Sequence, residues 1–329
     1  MVNMSKPVFI VGMNGSGTTL MLNCLNAHPE LYGFPRESKT IPYYYYRKQQ
    51  YGDLAVAENF RRLWDDYSSQ SCFQWVPGAQ EDSQVPEPIS SLPRTLATVI
   101  DETFSYFAHR HGKQRWCEKT PMYAQHIKIL HEMFPHACFI HMIRDGRSCA
   151  VSFHRRWGYN PKRTVYRWKR VIRAARGQAE ESGARYMEVF YENLAADPAT
   201  EMRKVCEFIG VEYDEKVLSP SRRPAHSGSS ADGIVKSSKD WKKYLKPSQI
   251  VALENIAGRT LCDLGYPVDN IQGDRNPPAA LLKIWTVRDY MRPGFALIWR
   301  QLTMPKKYRW DSLGGAIQKA IRQKRSSRF

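Results

Sequence analysis

The sequence predicts an α/β fold: a parallel sheet flanked by helices, followed by a basic, helical C-terminal appendage. Three observations carry this. Apolar runs of strand length, Val8–Val11, Cys138–Ile143 and Tyr186–Tyr191, are each bounded by turn residues. Each is followed by a turn and a segment of helix length, the alternation that builds parallel sheets with ligands at the carboxyl ends of strands. Finally, residues 274–329 hold 13 Lys/Arg against 3 Asp/Glu, so +10 of the net charge of +17 lies in the last 56 residues.

Taken in order, Val8-Phe9-Ile10-Val11 follows Pro7 as a buried strand, and Gly12 to Gly17 is a Gly-rich turn. Thr18 to Ala27 reads as a helix, with Leu20, Leu22, Cys24 and Leu25 apolar. Residues 34–50 mix proline, charge and aromatics. Residues 54–67 and 94–111 read as helices, and Val76 to Pro93 between them, rich in Pro, Ser and acid, reads as a loop or insertion. Cys138–Ile143 is a second strand, ending at Arg144-Asp145-Gly146. A helix over 147–157 and a basic helix over 162–182 follow. Tyr186–Tyr191 is a third strand, and 199–209 a helix stopped by Gly210. Ser219 to Ser238, rich in Ser, Gly and Arg, reads as a mobile loop, and 247–263 as a helix ending near Gly265.

Composition excludes several classes. With 42% hydrophobic and 25% charged residues in 329, the chain is neither disordered, collagen-like nor a small disulfide scaffold. A net charge of +17 implies polyanionic partners: nucleotide, phosphate or sulfate groups, nucleic acid or an anionic membrane. Seven cysteines stand at 24, 72, 117, 138, 149, 206 and 262, without a CxxC pair or zinc spacing, which favours a reducing compartment. No motif calls for a metal. The absence of an apolar leader or an 18-residue apolar run leads to the expectation of a cytoplasmic protein.

The first chemical signal is Gly12-Met13-Asn14-Gly15-Ser16-Gly17-Thr18-Thr19 between a strand and a helix. Glycines let backbone wrap a phosphate, the helix N-terminus offers N–H groups and a positive dipole end, and Thr18 and Thr19 add hydroxyls. The fold is thus P-loop-like. In a nucleoside-triphosphatase loop, however, a lysine stands where this chain has Thr18. Without it, handling a γ-phosphate is disfavoured, so a nucleotide kinase-like phosphotransferase is the weaker alternative.

The string Val8–Thr19 resembles the 5′-phosphosulfate loop of sulfotransferases that use 3′-phosphoadenosine 5′-phosphosulfate (PAPS). Three further segments agree in order: Glu118-Lys119-Thr120-Pro121, Arg144 to Ser152, and Phe190-Tyr191-Glu192-Asn193-Leu194. Glu37-Ser38-Lys39-Thr40-Ile41-Pro42 and Arg144-Asp145-Gly146-Arg147 look most like the tyrosylprotein-sulfotransferase-like branch. The resemblance covers residues 5–270 and implies a PAPS-dependent O-sulfotransferase domain there, with 274–329 as an extension. It implies that Asn14, Gly15, Ser16, Gly17, Thr18 and Thr19 hold the 5′-phosphosulfate. Arg144 and Ser152 would bind the 3′-phosphate, Tyr191 would contact the adenosine, and Lys236 and Ser237 would close over the cofactor. Lys119 would stabilise charge on the leaving phosphate, and Glu37 would be the general base. Arg147 is a candidate for a solvated charge, and His141, inside an apolar strand, for a satisfied core residue.

One departure stands out. The family usually carries Lys or Arg immediately before Ser-Gly-Thr-Thr, and here that residue is Gly15. A catalytically silent nucleotide- or membrane-binding relative is therefore a further alternative. The acceptor is a hydroxyl-bearing molecule of open class: carbohydrate, glycolipid, tyrosine or small alcohol. Tyr43 to Tyr46 beside the proposed base suits rings or lipid, or equally one packed side of a helix. The tail's apolar and Trp residues between Lys and Arg fit an anionic membrane surface, placing the protein peripherally on a membrane's inner face, or else packing or oligomerisation. No nucleic-acid motif accompanies the charge.

Overall fold

The computed structural model describes residues 6–74, 93–220, 241–269, 271, 274–289 and 291. Lys236 and Ser237, the segment read as an insertion between the first helices, most of the Ser/Gly/Arg-rich loop and the tail beyond 291 lie outside the described residues. What is described falls into two compact units, one of residues 1–145 and 170–240, the other of 146–169 and 241–329.

The first unit is built on five parallel strands, β1 (Val8–Gly12), β2 (Leu31–Gly33), β3 (Arg115–Lys119), β4 (Cys138–Ile143) and β5 (Arg185–Phe190). They lie in the order β2-β3-β1-β4-β5, with Val8 opposite both Cys117 and Cys138. β1 and β4 are buried along their whole length, which is why they read as unbroken apolar runs. Side chains alternate faces along a strand. Val8 and Ile10 join Met21, Leu22 and Leu25 of α1 (Thr18–Ala27) in one apolar layer. Phe9 goes to the other face, stacked on Phe139 at 5.4 Å and edge-on to Trp116 at 5.5 Å.

β1, β4 and β5 are legible in the sequence, and β2 and β3 are not. Cys138–Ile143 is the fourth strand, not the second. β2 has only three residues, too few to show a period. β3 reads Arg-Trp-Cys-Glu-Lys, and its buried Glu118 disguises an interior strand as a polar segment. The helices fall close to expectation: Ala57–Ser68, Leu96–Arg110, Gly146–Trp157, Pro161–Ser182, Pro198–Ile209 and Pro247–Asp263. Gly210 ends its helix in the left-handed conformation. A further helix, Ile41–Arg47, lies in the stretch of mixed character.

The second unit is helical. It holds Gly146–Trp157, residues 161–169 of the long helix, and Pro247–Asp263; residues 279–289 are helical too. Buried ions hold it together. Arg147, 1% exposed, donates to Glu254 Oε1 at 2.7 Å and to the Pro267 carbonyl at 2.9 Å, and its guanidinium lies 4.0 Å from the Trp241 ring centre. Arg147 is thus not a solvated charge: its partner Glu254 lies 107 residues away in sequence. Lys169, equally buried, donates to the Ile256 carbonyl at 2.8 Å and pairs with Asp274 at 3.2 Å.

No cysteine among the described residues forms a disulfide, and Cys24, Cys117, Cys138, Cys149 and Cys206 are buried. Among the described residues no helix is long and apolar enough to cross a membrane.

Candidate active site

Because every strand of the sheet is parallel, their carboxyl ends share one edge. β1 ends in the glycine loop, β3 in Lys119, β4 just before Arg144 and β5 just before Tyr191. The segment after β2 reaches Glu37. All of these belong to the first unit.

The loop turns on Ser16 N–H, which donates to the Met13 carbonyl at 3.0 Å. Gly17 takes φ 101°, and a Cβ there would stand 2.6 Å from Tyr191 Cδ2. Only glycine allows both that angle and that contact. No side chain caps the first turn of α1, so its first N–H groups lack a capping acceptor. Ser16 is fully buried, and its Oγ has no hydrogen-bond partner among the described residues. Thr18 is buried, while Asn14, Gly15 and Thr19 are half-buried. A buried hydroxyl without a partner, an uncapped helix start and a close-wrapped backbone are what a phosphate or sulfate group would fill.

Arg144 lies against this loop. Its Nη1 donates to the Gly15 carbonyl at 3.3 Å, and its guanidinium sits 4.2 Å from the centre of the Tyr191 ring. Tyr191 opens the helix Tyr191–Ala196 instead of ending the strand. Gly15 has φ 88°, a conformation that resists the Lys or Arg expected from the resemblance. The guanidinium of Arg144 brings positive charge to that carbonyl from another strand. Ser152 is half-buried on the helix Gly146–Trp157, in the second unit.

Glu37 and Lys119, 82 residues apart, meet as an ion pair with Nζ to Oε1 at 2.7 Å, and Lys39 Nζ lies 3.2 Å from Oε2. Burial raises the Glu37 pKa, but the charges and hydrogen bonds of Lys119 and Lys39 outweigh it and hold the carboxyl below its ordinary range. Glu37 is therefore an ionised acceptor at neutral pH.

Two residues beneath this pair carry no role in the sequence reading. Glu118 is fully buried and accepts from Ser38 N–H at 3.1 Å, Ser38 Oγ at 3.0 Å and Thr120 Oγ1 at 2.6 Å. Both stand within the motifs quoted for their neighbours. The one sequence signal is an acid directly after the apolar pair Trp116-Cys117. His141 is a core residue but only half satisfied: its Nδ1 meets the Tyr186 hydroxyl, its Nε2 has no hydrogen-bond partner among the described residues, and burial pushes its pKa down to about 4. Of the tyrosine run, Tyr44 is buried and Tyr46 is exposed, the pattern of a helix with one packed side. Among the described residues no three His, Cys, Asp or Glu side chains gather as metal ligands.

A glycine-rich strand–helix loop without the triphosphate lysine, an arginine at the next strand end and a carboxylate–lysine pair lie along one edge of a parallel α/β sheet, the edge where this class of fold places its ligands. The chain belongs to the sulfotransferase family, whose model matches residues 7–215. It is 29% identical over 225 residues to protein-tyrosine sulfotransferase A of Caenorhabditis elegans, covering 66% of this chain and 53% of that protein. It is 25% identical over 266 residues to protein-tyrosine sulfotransferase 1 of Danio rerio, covering 78% of this chain and 67% of that protein. The chain thus spans about half the length of the first of these relatives. The solved sulfotransferase domain from the curacin biosynthetic pathway superposes with a TM-score of 0.54 at 18% identity, over 79% of this chain and 98% of that domain, a likeness of fold.

Proposed function

We propose that residues 5–270 transfer a sulfuryl group from PAPS to the hydroxyl of a tyrosine in a protein acceptor. The observation that carries the chemistry is the Glu37–Lys119 pair at the carboxyl edge beside the phosphate loop. The acceptor class is drawn from the names of the relatives. Bound PAPS supplies the sulfuryl group, and adenosine 3′,5′-bisphosphate is the leaving product. Ser16, Gly17, Thr18 and Thr19 cradle its 5′ end through backbone N–H groups and hydroxyls. Arg144 offers a planar fork to the 3′-phosphate and lies over one face of Tyr191, whose remaining edge would border the adenosine. Glu37, ionised, takes the proton of the acceptor hydroxyl. Lys119 holds Glu37 in place and presents positive charge where the leaving oxygen becomes negative. Sharing Lys119 with an anion loosens its hold on Glu37, and the carboxylate becomes a better base.

Sulfur-labelled PAPS offered with a tyrosine peptide, its phenylalanine counterpart, a carbohydrate and a glycolipid tests this reading. Label is expected on the tyrosine peptide alone, and Glu37→Gln is expected to lower kcat by about 10²–10⁴-fold. No labelled product from any acceptor would sink the reading; label on the carbohydrate or glycolipid alone would move the acceptor class.

A second reading concerns the extension. Residues 279–289 are held through Thr286 and Asp289: Arg163 Nε donates to Thr286 Oγ1 at 3.0 Å, and Arg163 Nη1 pairs with Asp289 at 2.8 Å. At about 100° per residue, Leu281, Ile284, Val287 and Met291 then share the outward arc with Lys283 and Arg288. Those four apolar side chains are exposed, Ile284 by 60%. An arc of apolar and cationic groups suits an anionic lipid surface, where each cation contributes about 1 kcal/mol. We infer that this face docks peripherally on such a membrane. Full-length protein is expected to sediment with phosphatidylglycerol-containing vesicles and not with phosphatidylcholine alone. Leu281→Ser with Ile284→Ser is expected to abolish this, and unchanged sedimentation would overturn it.

A further inference from the structure

Glu118 is a buried carboxylate that the transfer chemistry leaves unused. It directly precedes Lys119 on β3, and Ser38 directly follows Glu37. Two neighbouring residues of the strand therefore face two neighbouring residues of the loop, Lys119 on Glu37 and Glu118 on Ser38. The Tyr123 hydroxyl extends the network, at 2.7 Å from Ser38 Oγ and accepting from Ile41 N–H at 3.2 Å.

The loop bearing Glu37 has no regular secondary structure over residues 34–40, and Lys39 within it takes φ 57°. A non-glycine residue in that region persists where its surroundings fix it. The bonds to Glu118 contribute to that fixing, and at the loop's start Phe34 N–H donates to the Cys117 carbonyl at 2.8 Å. An amide could accept from Ser38 at a lower desolvation cost than a carboxylate. Here the carboxylate is kept, with Oε2 buried and lacking a hydrogen-bond partner among the described residues.

We propose that Glu118 is a positioning residue for sulfuryl transfer: its ionised carboxylate grips Ser38 and thereby sets Glu37 against Lys119. The inference rests on the roles assigned above to that pair. Burial pushes the Glu118 pKa up to about 7, against the hydrogen bonds of Thr120 and Ser38 and the charge of Lys119. The other ionisable groups around it differ. Tyr67 from the helix Ala57–Ser68 and Tyr123 after β3 are pushed far up by burial, and Cys72 is raised to about 12. Arg36 and Lys119 are cations, and Glu37 is held below the carboxylate range. Of the shifted groups named, Glu118 is the one brought near neutrality. An anionic acceptor makes the stronger hydrogen bonds, so protonation loosens Ser38.

Turnover is therefore expected to fall as pH drops through about 7. Glu37 cannot produce that limb, because its own proton binds only at lower pH. Glu118→Gln keeps the shape and an acceptor but removes the charge. It is expected to lose the limb and to lower kcat by about tenfold or more, since displacement by ~1 Å can cost about 10²-fold. Adenosine 3′,5′-bisphosphate is expected to stabilise the variant and the wild type alike. Above pH ~7 the variant's melting temperature is expected to match or exceed wild type, because an unpaired buried charge is gone. A residue that served only the fold would lose stability and rate together.

Wild-type rate and limb in Glu118→Gln, while Glu37→Gln is inactive, overturn the positioning role alone. Wild-type turnover in Glu37→Gln overturns the base assignment beneath it. Should Glu118→Gln fail to fold, Ser38→Ala carries the test. Removing one hydrogen bond to the charged form raises the Glu118 pKa, so the limb is expected to move to higher pH with a lower plateau. An unmoved limb with an unchanged plateau overturns the proposal.

Discussion

Arg144 and Arg147 are three residues apart, yet each typifies a different unit of the molecule. Arg144 stands at the carboxyl edge of the sheet, half-buried, on a backbone carbonyl and a tyrosine ring. Arg147 is enclosed among helices and spends its charge on Glu254. The sheet unit is held by apolar layers and strand pairing, and buried polar atoms without partners, Ser16 Oγ and Glu118 Oε2, stand beside its candidate site. The helical unit instead matches its buried cations to acids distant in sequence. In the helical unit the matched buried charges complete the fold, whereas Ser16 Oγ beside the candidate site is a buried donor that a bound anion would complete.

The sharpest way to break this contrast is Arg147→Ala. It strands the Glu254 carboxylate in the interior and is expected to cost about 3–5 kcal/mol, read by chemical denaturation. Replacing both partners by methionine should cost less than either single change, because no unpaired charge remains. A loss below about 1 kcal/mol for Arg147→Ala would mean that the pair is solvated and the contrast false.

Next in size is Arg144→Ala. Stability should change by less than about 1 kcal/mol. The preference for adenosine 3′,5′-bisphosphate over AMP should weaken by about 1.5–3 kcal/mol, roughly 10- to 150-fold, in calorimetric titrations. An unaltered preference would take the 3′-phosphate away from this arginine.

The smallest effect is expected at position 15. Gly15→Lys would restore the residue type usual in the family but must adopt φ near 88°. The strain is about 1–2 kcal/mol, so stability should drop by that amount and turnover should not rise. Higher turnover at unchanged stability would show that the loop relaxes to accept a cation, and that Arg144 does not stand in for it.

Much of the sheet unit is legible in the sequence, for a local reason. β1 and β4 are central and buried on both faces, so apart from His141 their residues are apolar or glycine, and the loop's glycines sit where backbone must turn tightly. Helix ends follow Pro and Gly at Pro198 and Gly210. β3 escapes because charged residues interrupt its pattern: Arg115, Glu118 and Lys119 stand where hydrophobic residues would announce a strand. The pairing of Lys119 with Glu37 is legible only through family resemblance, since 82 residues separate them and neither neighbourhood names the other.

The sequence by itself determined the alternation of strand and helix, the phosphate loop and its missing lysine, and the concentration of charge in the last 56 residues. Each is written in adjacent residues, through period, turn chemistry or composition. Only tertiary structure decided which charges are spent. Whether Arg147 is solvent-facing or locked to Glu254, and whether Glu118 is a surface acid or the buried support of Ser38, depends on partners far along the chain. The physical reason is desolvation: a charge costs little in water and much in the interior, and only the folded chain fixes where each one lies.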